Sequence, residues 1–272
     1  MKLALCQTPV TASLPDNHNA MRAAVQTAAQ QGAPLVCLPE MWACPYDNDA
    51  FPRYAEPEGG ETWQVLRDAA ASNGVWLVGG SVPERDGERL FNTCYVFSPE
   101  GEQIAKHRKV HLFDIDVPGG QRFMESDTFT PGDSLTLFDT PFGRVGVAIC
   151  FDIRFAEWFR MLSLEGAKLI LVPGAFNMTT GPAHWELSLR MRAVDNQCFV
   201  AGCAPARDEN ASYVSYANSL VSDPWGNVAG RLGAEPEVLV CDLDLGYADA
   251  IRTQIPILSG RRGDLYTLQY KK

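Results

Sequence analysis

Short apolar runs alternate with amphipathic stretches along this chain, and the alternation predicts most of its elements. Met1–Gln7 alternates and is apolar enough for a first strand. Pro15-Asp16-Asn17 offers a cap for a helix over 17–31, which Gly32 ends. Ala33-Pro34-Leu35-Val36-Cys37-Leu38-Pro39-Glu40 predicts a second, buried strand that closes on a carboxylate. Met41 to Gly60 is irregular and carries Trp42, Tyr46 and Phe51; loops this long usually line or cover a site. Helical period resumes over Glu61–Asn73, stops at Gly74, and gives way to a strand over Val75–Pro83.

Arg85-Asp86-Gly87 then turns into Leu90–Phe97, and Pro99-Glu100-Gly101 into Gln103–Val110. That is a strand meander, so the sheets cannot be purely parallel. Residues 114–134 read as a second long loop, containing Gly119-Gly120 and Glu125. Val145–Ile149 is small and β-branched, as a buried strand is, and Phe155–Leu162 turns helical with Asp152 as a candidate N-cap. Lys168–Pro173 is strand and His184–Gln197 helix, with Trp185, Leu189 and Val194 on one face. Strands follow at 198–204, 214–222 and 236–242, the last two joined through the turn Asp223–Asn227. A short helix begins the tail at 245. No linker or short repeat interrupts the pattern, so residues 1–272 read as one α/β domain.

Composition narrows the partners. With 46% hydrophobic and 21% charged residues, the chain is an ordinary soluble one. Met1–Gln7 is too short for a signal peptide, and no apolar stretch approaches the ~18 residues a membrane span needs. A net charge of −10, without a Lys/Arg-rich patch, argues against nucleic acid and anionic membranes. Eight cysteines occur, mostly inside apolar runs, with no CxxC pair and no His at zinc spacing. A metal site is therefore not expected, and the chain reads as cytoplasmic and reduced.

Three residues could do chemistry. Cys150 sits where a strand runs into a predicted helix N-terminus, a place that stabilises a thiolate. Alone, it reads as a small buried hydrophobe. Glu40 ends a buried strand, where α/β folds gather their chemistry, yet a lone strand-end Glu usually faces water. Lys109 is flanked by Val110, Leu112 and Phe113 and points inward, or else belongs to a charged sheet edge. Together they would make an acyl-transfer site. A carboxylate would take the thiol proton, and an ammonium with the Phe151 N–H would hold the oxyanion. A cysteine–histidine pair through His184 is the rival arrangement.

Pro39-Glu40, Arg108-Lys109-Val110-His111-Leu112-Phe113 and Ile149-Cys150-Phe151-Asp152-Ile153-Arg154-Phe155 resemble, in order and separation, the carbon–nitrogen hydrolase (nitrilase) superfamily. The resemblance covers nearly the whole chain. It implies a four-layer α-β-β-α sandwich with no cofactor and no metal. Its catalytic set would be Glu40 as general base, Lys109 as oxyanion-stabilising cation and Cys150 as nucleophile, with Glu125 as the second glutamate that holds the lysine. Phe151-Asp152 follows the cysteine where true nitrilases carry Trp-Glu, which points to amides. Phe155-Ala156-Glu157, His111–Gly119 and Pro173–Glu186 resemble the ω-amidase branch, which hydrolyses the terminal amide of 2-oxoglutaramate or 2-oxosuccinamate. Gly120-Gln121-Arg122 departs from the residues expected before the second-glutamate block. Alternatives are a deaminated-glutathione amidase, a carbamoyl-amine hydrolase and, at the far end, a non-enzymatic scaffold.

The distal carboxylate of such a substrate needs a cation or amide donors. Arg154 is the candidate, unless it braces the joint through Glu157. Tyr46 and the Phe176–Thr180 loop, with Phe176, Asn177 and Thr179, are expected as pocket walls. The resemblance also implies a homodimer or higher homo-oligomer acting on a small-molecule amide.

Overall fold

In the computed structural model, which describes residues 1–271, the first apolar runs lie side by side. β1 (Lys2–Gln7), β2 (Leu35–Cys37) and β3 (Trp76–Val78) are parallel neighbours. β4 (Val82–Asp86), β5 (Arg89–Phe97) and β6 (Gln103–Arg108) extend them as an antiparallel meander. The crossovers run through α1 (Leu14–Gln30), the short α2 (Phe51–Tyr54) and α3 (Glu61–Asn73). A hairpin of β7 (Asp114–Asp116) and β8 (Arg122–Met124) leads to a 3-10 turn at Glu125–Asp127.

The second sheet has six strands, neighbours in chain order: β9 (Thr136–Thr140), β10 (Gly143–Val147), β11 (Leu169–Pro173), β12 (Phe199–Cys203), β13 (Leu220–Ser222) and β14 (Val228–Arg231). Its parallel centre is crossed by α4 (Ala156–Leu164) and α5 (Gly181–Asn196). β15 (Glu237–Asp242) then returns to the first sheet, pairs antiparallel with β1 and completes seven strands. α6 (Gly246–Gln254) follows it.

Period-two alternation makes this a sandwich. Leu3, Leu5, Leu35 and Cys37 point into a core shared with Val145, Val147, Leu169 and Leu171 of the other sheet. Their neighbours Ala4, Cys6, Val36 and Leu38 point the opposite way, onto Met21 and Val25 of α1 and Val65 and Leu66 of α3. Phe159 and Leu162 of α4, with Trp185 and Leu189 of α5, cover the second sheet's outer face. The layers run α-β-β-α. Truncating Leu5 or Leu171, both fully buried in the seam, would cost about 2–5 kcal/mol.

Several expectations shift by a turn or break in two. α1 starts at Leu14, not 17, because the Ser13 hydroxyl accepts the Asp16 N–H at 3.3 Å and caps it there. The single strand expected over Val75–Pro83 is two strands. Gly80 is left-handed (φ +63°), and a Cβ on it would lie 2.1 Å from the Pro39 carbonyl oxygen. The 114–134 loop contains the β7–β8 hairpin and the 3-10 turn. Strands β9 and β14 were not expected, and 214–219 lies outside the strand at Leu220–Ser222. β9 and β14 are short strands at the two edges of their sheet, and half their residues or more are not fully buried, so neither leaves a strong apolar signature.

The joint at Cys150 also differs. A 3-10 turn, Cys150–Arg154, separates β10 from α4, which begins only at Ala156. Asp152 therefore caps no α-helix. Its carboxylate accepts the Ile149 N–H at 2.9 Å and the His111 N–H at 2.9 Å, and meets His107 Nε2 at 3.3 Å and His111 Nδ1 at 2.7 Å. These contacts tie the lysine-bearing segment of one sheet to the cysteine-bearing turn of the other. Among the described residues no helix is long and apolar enough to cross a membrane.

Candidate active site

Glu40 and Cys150 both sit where the backbone kinks. Met41, just after Glu40, has φ +51°, and Cys150 itself has φ +45°. Non-glycine residues adopt this conformation only where the surroundings hold them there. Gly174 helps: a Cβ on it would lie 2.9 Å from the Trp185 ring and 3.5 Å from the Cys150 Cα, so glycine lets the 174–177 segment pass beside the cysteine.

Lys109 arrives from the end of β6, its backbone N–H donating to the Asn92 carbonyl of β5 at 2.8 Å. Its Nζ donates to Glu40 Oε1 at 2.8 Å and to Glu125 Oε2 at 2.7 Å. Glu125 comes from the 3-10 turn behind the hairpin, and its Oε2 also accepts the Phe113 N–H at 2.6 Å. Glu40 Oε2 accepts the Ala175 N–H at 2.9 Å. Glu40 and the Ala175 N–H both stand close enough to Cys150 to act on its thiol. All four side chains are buried, at 0–3% exposure.

Electrostatics follow from that burial. Desolvation works against the Lys109 ammonium, but Glu125 and Glu40 outweigh it, so its pKa is held above the ordinary value. Burial pushes the Glu125 carboxyl up, against the pull of Lys109. Burial, and then Glu40, push the Cys150 thiol well above its ordinary range, and Lys109 only partly offsets them. Cys150 thus rests as a thiol. The turn that begins at Cys150 is 3-10 and the α-helix starts only at Ala156, contrary to the expected strand–helix joint, so a thiolate there needs a neighbouring group to remove its proton.

The remaining expected residues divide. The Tyr46 hydroxyl donates to Glu40 Oε1 at 3.4 Å, and its ring stacks on Tyr213 at 4.4 Å between centroids. Phe151 and Phe176 lie beside the Arg154 guanidinium, 5.4 and 4.9 Å from its centre. Arg154 does not reach Glu157; it is half-buried, its Nη1 meets His184 Nδ1 at 3.2 Å and its Nε has no partner. His184 is therefore joined to the arginine and not to Cys150. Asn177 is buried, but its amide serves the loop, meeting Gln121 and accepting the Thr180 N–H at 3.0 Å. Thr179 is exposed and lies over Gly120 of the hairpin. Neither of these two is brought to the cysteine.

Two contributors escaped the sequence reading. Asn92 donates to Glu40 Oε1 and to Glu125 Oε1, both at 2.9 Å. A lone amide inside Leu90-Phe91-Asn92-Thr93-Cys94-Tyr95 was the available signal, since a buried polar group needs partners. Tyr213, in a segment without a strand pattern, donates to the Ala175 carbonyl and gave no such signal. A cavity of about 250 Å³ opens beside Glu40, lined among others by Thr11, Tyr46, Ala175, Pro205 and Tyr213, but not by Cys150 or Arg154.

Comparison with known proteins agrees with this arrangement. The carbon-nitrogen hydrolase family model matches residues 2–253. Omega-amidase NIT2-A of Xenopus laevis is 51% identical over 271 residues, covering 100% of this chain and 98% of the relative. The crystal structure of Saccharomyces cerevisiae Nit3, a member of branch 10 of the nitrilase superfamily, superposes with a TM-score of 0.89 at 36% identity, over 96% of each chain. A variant of the amidase from Nesterenkonia sp. AN1, in which acrylamide has added to the active site cysteine, gives 0.81 at 28% identity, over 97% of this chain and 98% of the other. Agreement of sequence and fold along essentially the full length settles the assignment: this chain belongs to the carbon-nitrogen hydrolase family.

Proposed function

We infer that the protein is an ω-amidase, hydrolysing the terminal amide of 2-oxoglutaramate or 2-oxosuccinamate to a dicarboxylate and ammonia. The observation that carries the chemistry is the Glu40–Lys109–Glu125 cluster closed against Cys150. Full-length likeness to proteins named omega-amidase supports the substrate class.

Hydrolysis proceeds in two halves. Glu40, whose Oε2 accepts only the Ala175 N–H while Oε1 is taken by Lys109 and Asn92, takes the Cys150 proton as the sulfur attacks the amide carbon. An ammonium has three N–H groups, and two of those on Lys109 are spent on Glu40 and Glu125. The third, with the Phe151 N–H, holds the oxyanion; losing one such donor costs about 3–4 kcal/mol of barrier. Glu40 passes the proton to the departing nitrogen, ammonia leaves, and a thioester remains. Glu40 then takes a proton from water, hydroxide adds to the thioester carbon, and collapse releases the carboxylate and the thiol.

Arg154 receives the substrate's distal carboxylate. It is a half-buried cation beside two aromatic rings with no carboxylate of its own, whereas a buried arginine is normally paired. Phe151, Phe176 and Tyr46 wall the pocket, and Asn177 and Thr179 shape the loop that carries Phe176. The chain works as one domain, since β15 ties its last quarter to β1. It is cytoplasmic, in keeping with eight free, buried cysteines. It assembles as a homodimer or higher homo-oligomer, for which exposed Leu187, Met191 and Trp225 offer an apolar face.

Ammonia release is to be compared for 2-oxoglutaramate, deaminated glutathione, a carbamoyl β-amino acid and a simple nitrile. 2-Oxoglutaramate is expected to be the best of the four; if it is the poorest, the ω-amidase reading fails. Intact-mass measurement with a slow substrate should catch the thioester, and Cys150→Ala should remove both adduct and turnover.

A further inference from the structure

Asn92 occupies a position that none of the assigned roles explains. It lies on β5 opposite Lys109, with which it is paired through the backbone at 2.8 Å. The residue is 1% exposed in a strand whose other members, Arg89 and Thr93 apart, are apolar. The amide nitrogen donates one hydrogen to Glu40 Oε1 and the other to Glu125 Oε1, each at 2.9 Å. Lys109 Nζ joins the same two carboxylates, through Glu40 Oε1 and Glu125 Oε2. The four side chains thus close a ring in which two donors alternate with two acceptors.

Closure of that ring distinguishes the two oxygens of Glu40. Oε1 accepts from Lys109, Asn92 and Tyr46, so its lone pairs are committed. Oε2 accepts the Ala175 N–H and keeps lone-pair capacity for a proton. We propose that Asn92 is a positioning residue for the hydrolysis: by bridging Glu40 and Glu125 it locks the Glu40 carboxylate so that Oε2 stays the proton acceptor aimed at Cys150. The amide is held for its nitrogen alone, since its Oδ1 is buried without a partner. Flipping the amide would set that oxygen against two carboxylates, so the orientation is determined by its neighbours and not by chance packing.

The proposal rests on the reading of Glu40 as general base, so Glu40→Gln is assayed alongside. Turnover in Glu40→Gln would overturn the base itself; loss there with wild-type behaviour in Asn92→Ala would overturn only the positioning role. The groups that face the two carboxylates are Lys109, Tyr46, Tyr213 and Cys150, and they are unchanged in the variants. Asn92→Ala is expected to lower kcat roughly 10- to 100-fold with KM within about threefold, the scale of losing a charge-assisted hydrogen bond. The acidic limb of its kcat–pH profile should move to higher pH, because two donors that favour the ionised carboxylates have gone. Asn92→Asp keeps the shape but loses the donors. It should be slower than the alanine variant at neutral pH and recover in part as the pH falls and the new carboxyl becomes a donor. An unmoved acidic limb with kcat within twofold, or a loss confined to KM, would overturn the assignment. So would failure of both variants to fold, since Asn92 would then be a framework residue.

Discussion

Two cations are taken out of water near Cys150, and their surroundings are opposite. Lys109 is fully enclosed and touches two carboxylates within 2.8 Å. Arg154 is half-buried, and among the described residues no carboxylate stands against it; its neighbours are two aromatic rings and His184. Burial acts against the charge of both, but only in Lys109 do partners reverse the effect; the Arg154 pKa stays below its ordinary value. A cation neutralised in advance needs no substrate to complete it, which fits the role proposed for Lys109 in the reaction. One left without a counter-ion is open to a bound anion, as proposed for Arg154.

Removing the charge of Lys109 should therefore do the greatest damage. Lys109→Met leaves Glu40 and Glu125 with no cation between them and strips the oxyanion of a donor. Turnover should fall at least ~10³-fold. Thermal stability should drop as well, since breaking a buried pair costs about 3–5 kcal/mol. If turnover survives within tenfold, the lysine is a framework group and the contrast with Arg154 collapses.

Arg154→Met should cost less, and selectively. For 2-oxoglutaramate, kcat/KM should fall roughly 10- to 100-fold, carried mainly by KM, as loss of a charge-assisted contact predicts. A neutral amide of similar length should lose almost nothing. An equal loss for both substrates would make Arg154 a brace for the Phe151 turn, not a receptor for charge.

How far the site could be read from the chain follows the same division. Glu40, Lys109 and Cys150 lie in apolar neighbourhoods within short blocks that single them out as candidates, and the structure brings all three together. Glu125 sits in what reads as loop, yet it too is brought against Lys109. What stayed hidden depends on partners distant in sequence. Asn92 acquires meaning only when β5 pairs with β6, and Asp152 reads as a helix cap until His107 and His111 are folded against it. Asn177 and Thr179 share a loop with Phe176, but contiguity does not reveal which side chains turn inward. Gln121 and Gly120 of the hairpin engage them instead.

Asp152 links the two regions and offers a way to uncouple them. Its carboxyl is held far below the usual carboxylate range: burial alone would raise it, but hydrogen bonds from His107, His111 and the Ile149 N–H prevail. The unfolded value is about 3.9. A group depressed on folding contributes stability that is present above its unfolded pKa and lost as pH falls through the folded one. Stability should thus decline below about pH 4 in the wild type, more gently in Asp152→Asn. That variant should be less stable by roughly 2–3 kcal/mol at neutral pH. Denaturant melts across pH measure both; a variant as pH-sensitive as the wild type would remove Asp152 from the acid response.

The smallest effect belongs to Tyr46, and it tests how completely the lysine side is satisfied. Its hydroxyl reaches Glu40 Oε1 at 3.4 Å, at the far edge of hydrogen-bond range, where Lys109 and Asn92 already donate at 2.8 and 2.9 Å. Burial, and then Glu125 and Glu40, hold the phenol well above its ordinary pKa, so it is a neutral donor throughout the working range. Removing such a weak third donor should cost little, because the carboxylate keeps its two strong ones. Tyr46→Phe preserves the stack on Tyr213 and should keep kcat within about threefold, since a bond stretched to 3.4 Å falls well short of the ~1.5–3 kcal/mol that a well-formed hydrogen bond to a charged group contributes. A loss of a hundredfold in kcat would mean that Glu40 is held by the tyrosine and not by the ring of Lys109 and Asn92. The charge-neutral closure that sets Lys109 apart from Arg154 would then be the wrong account of this side of the site.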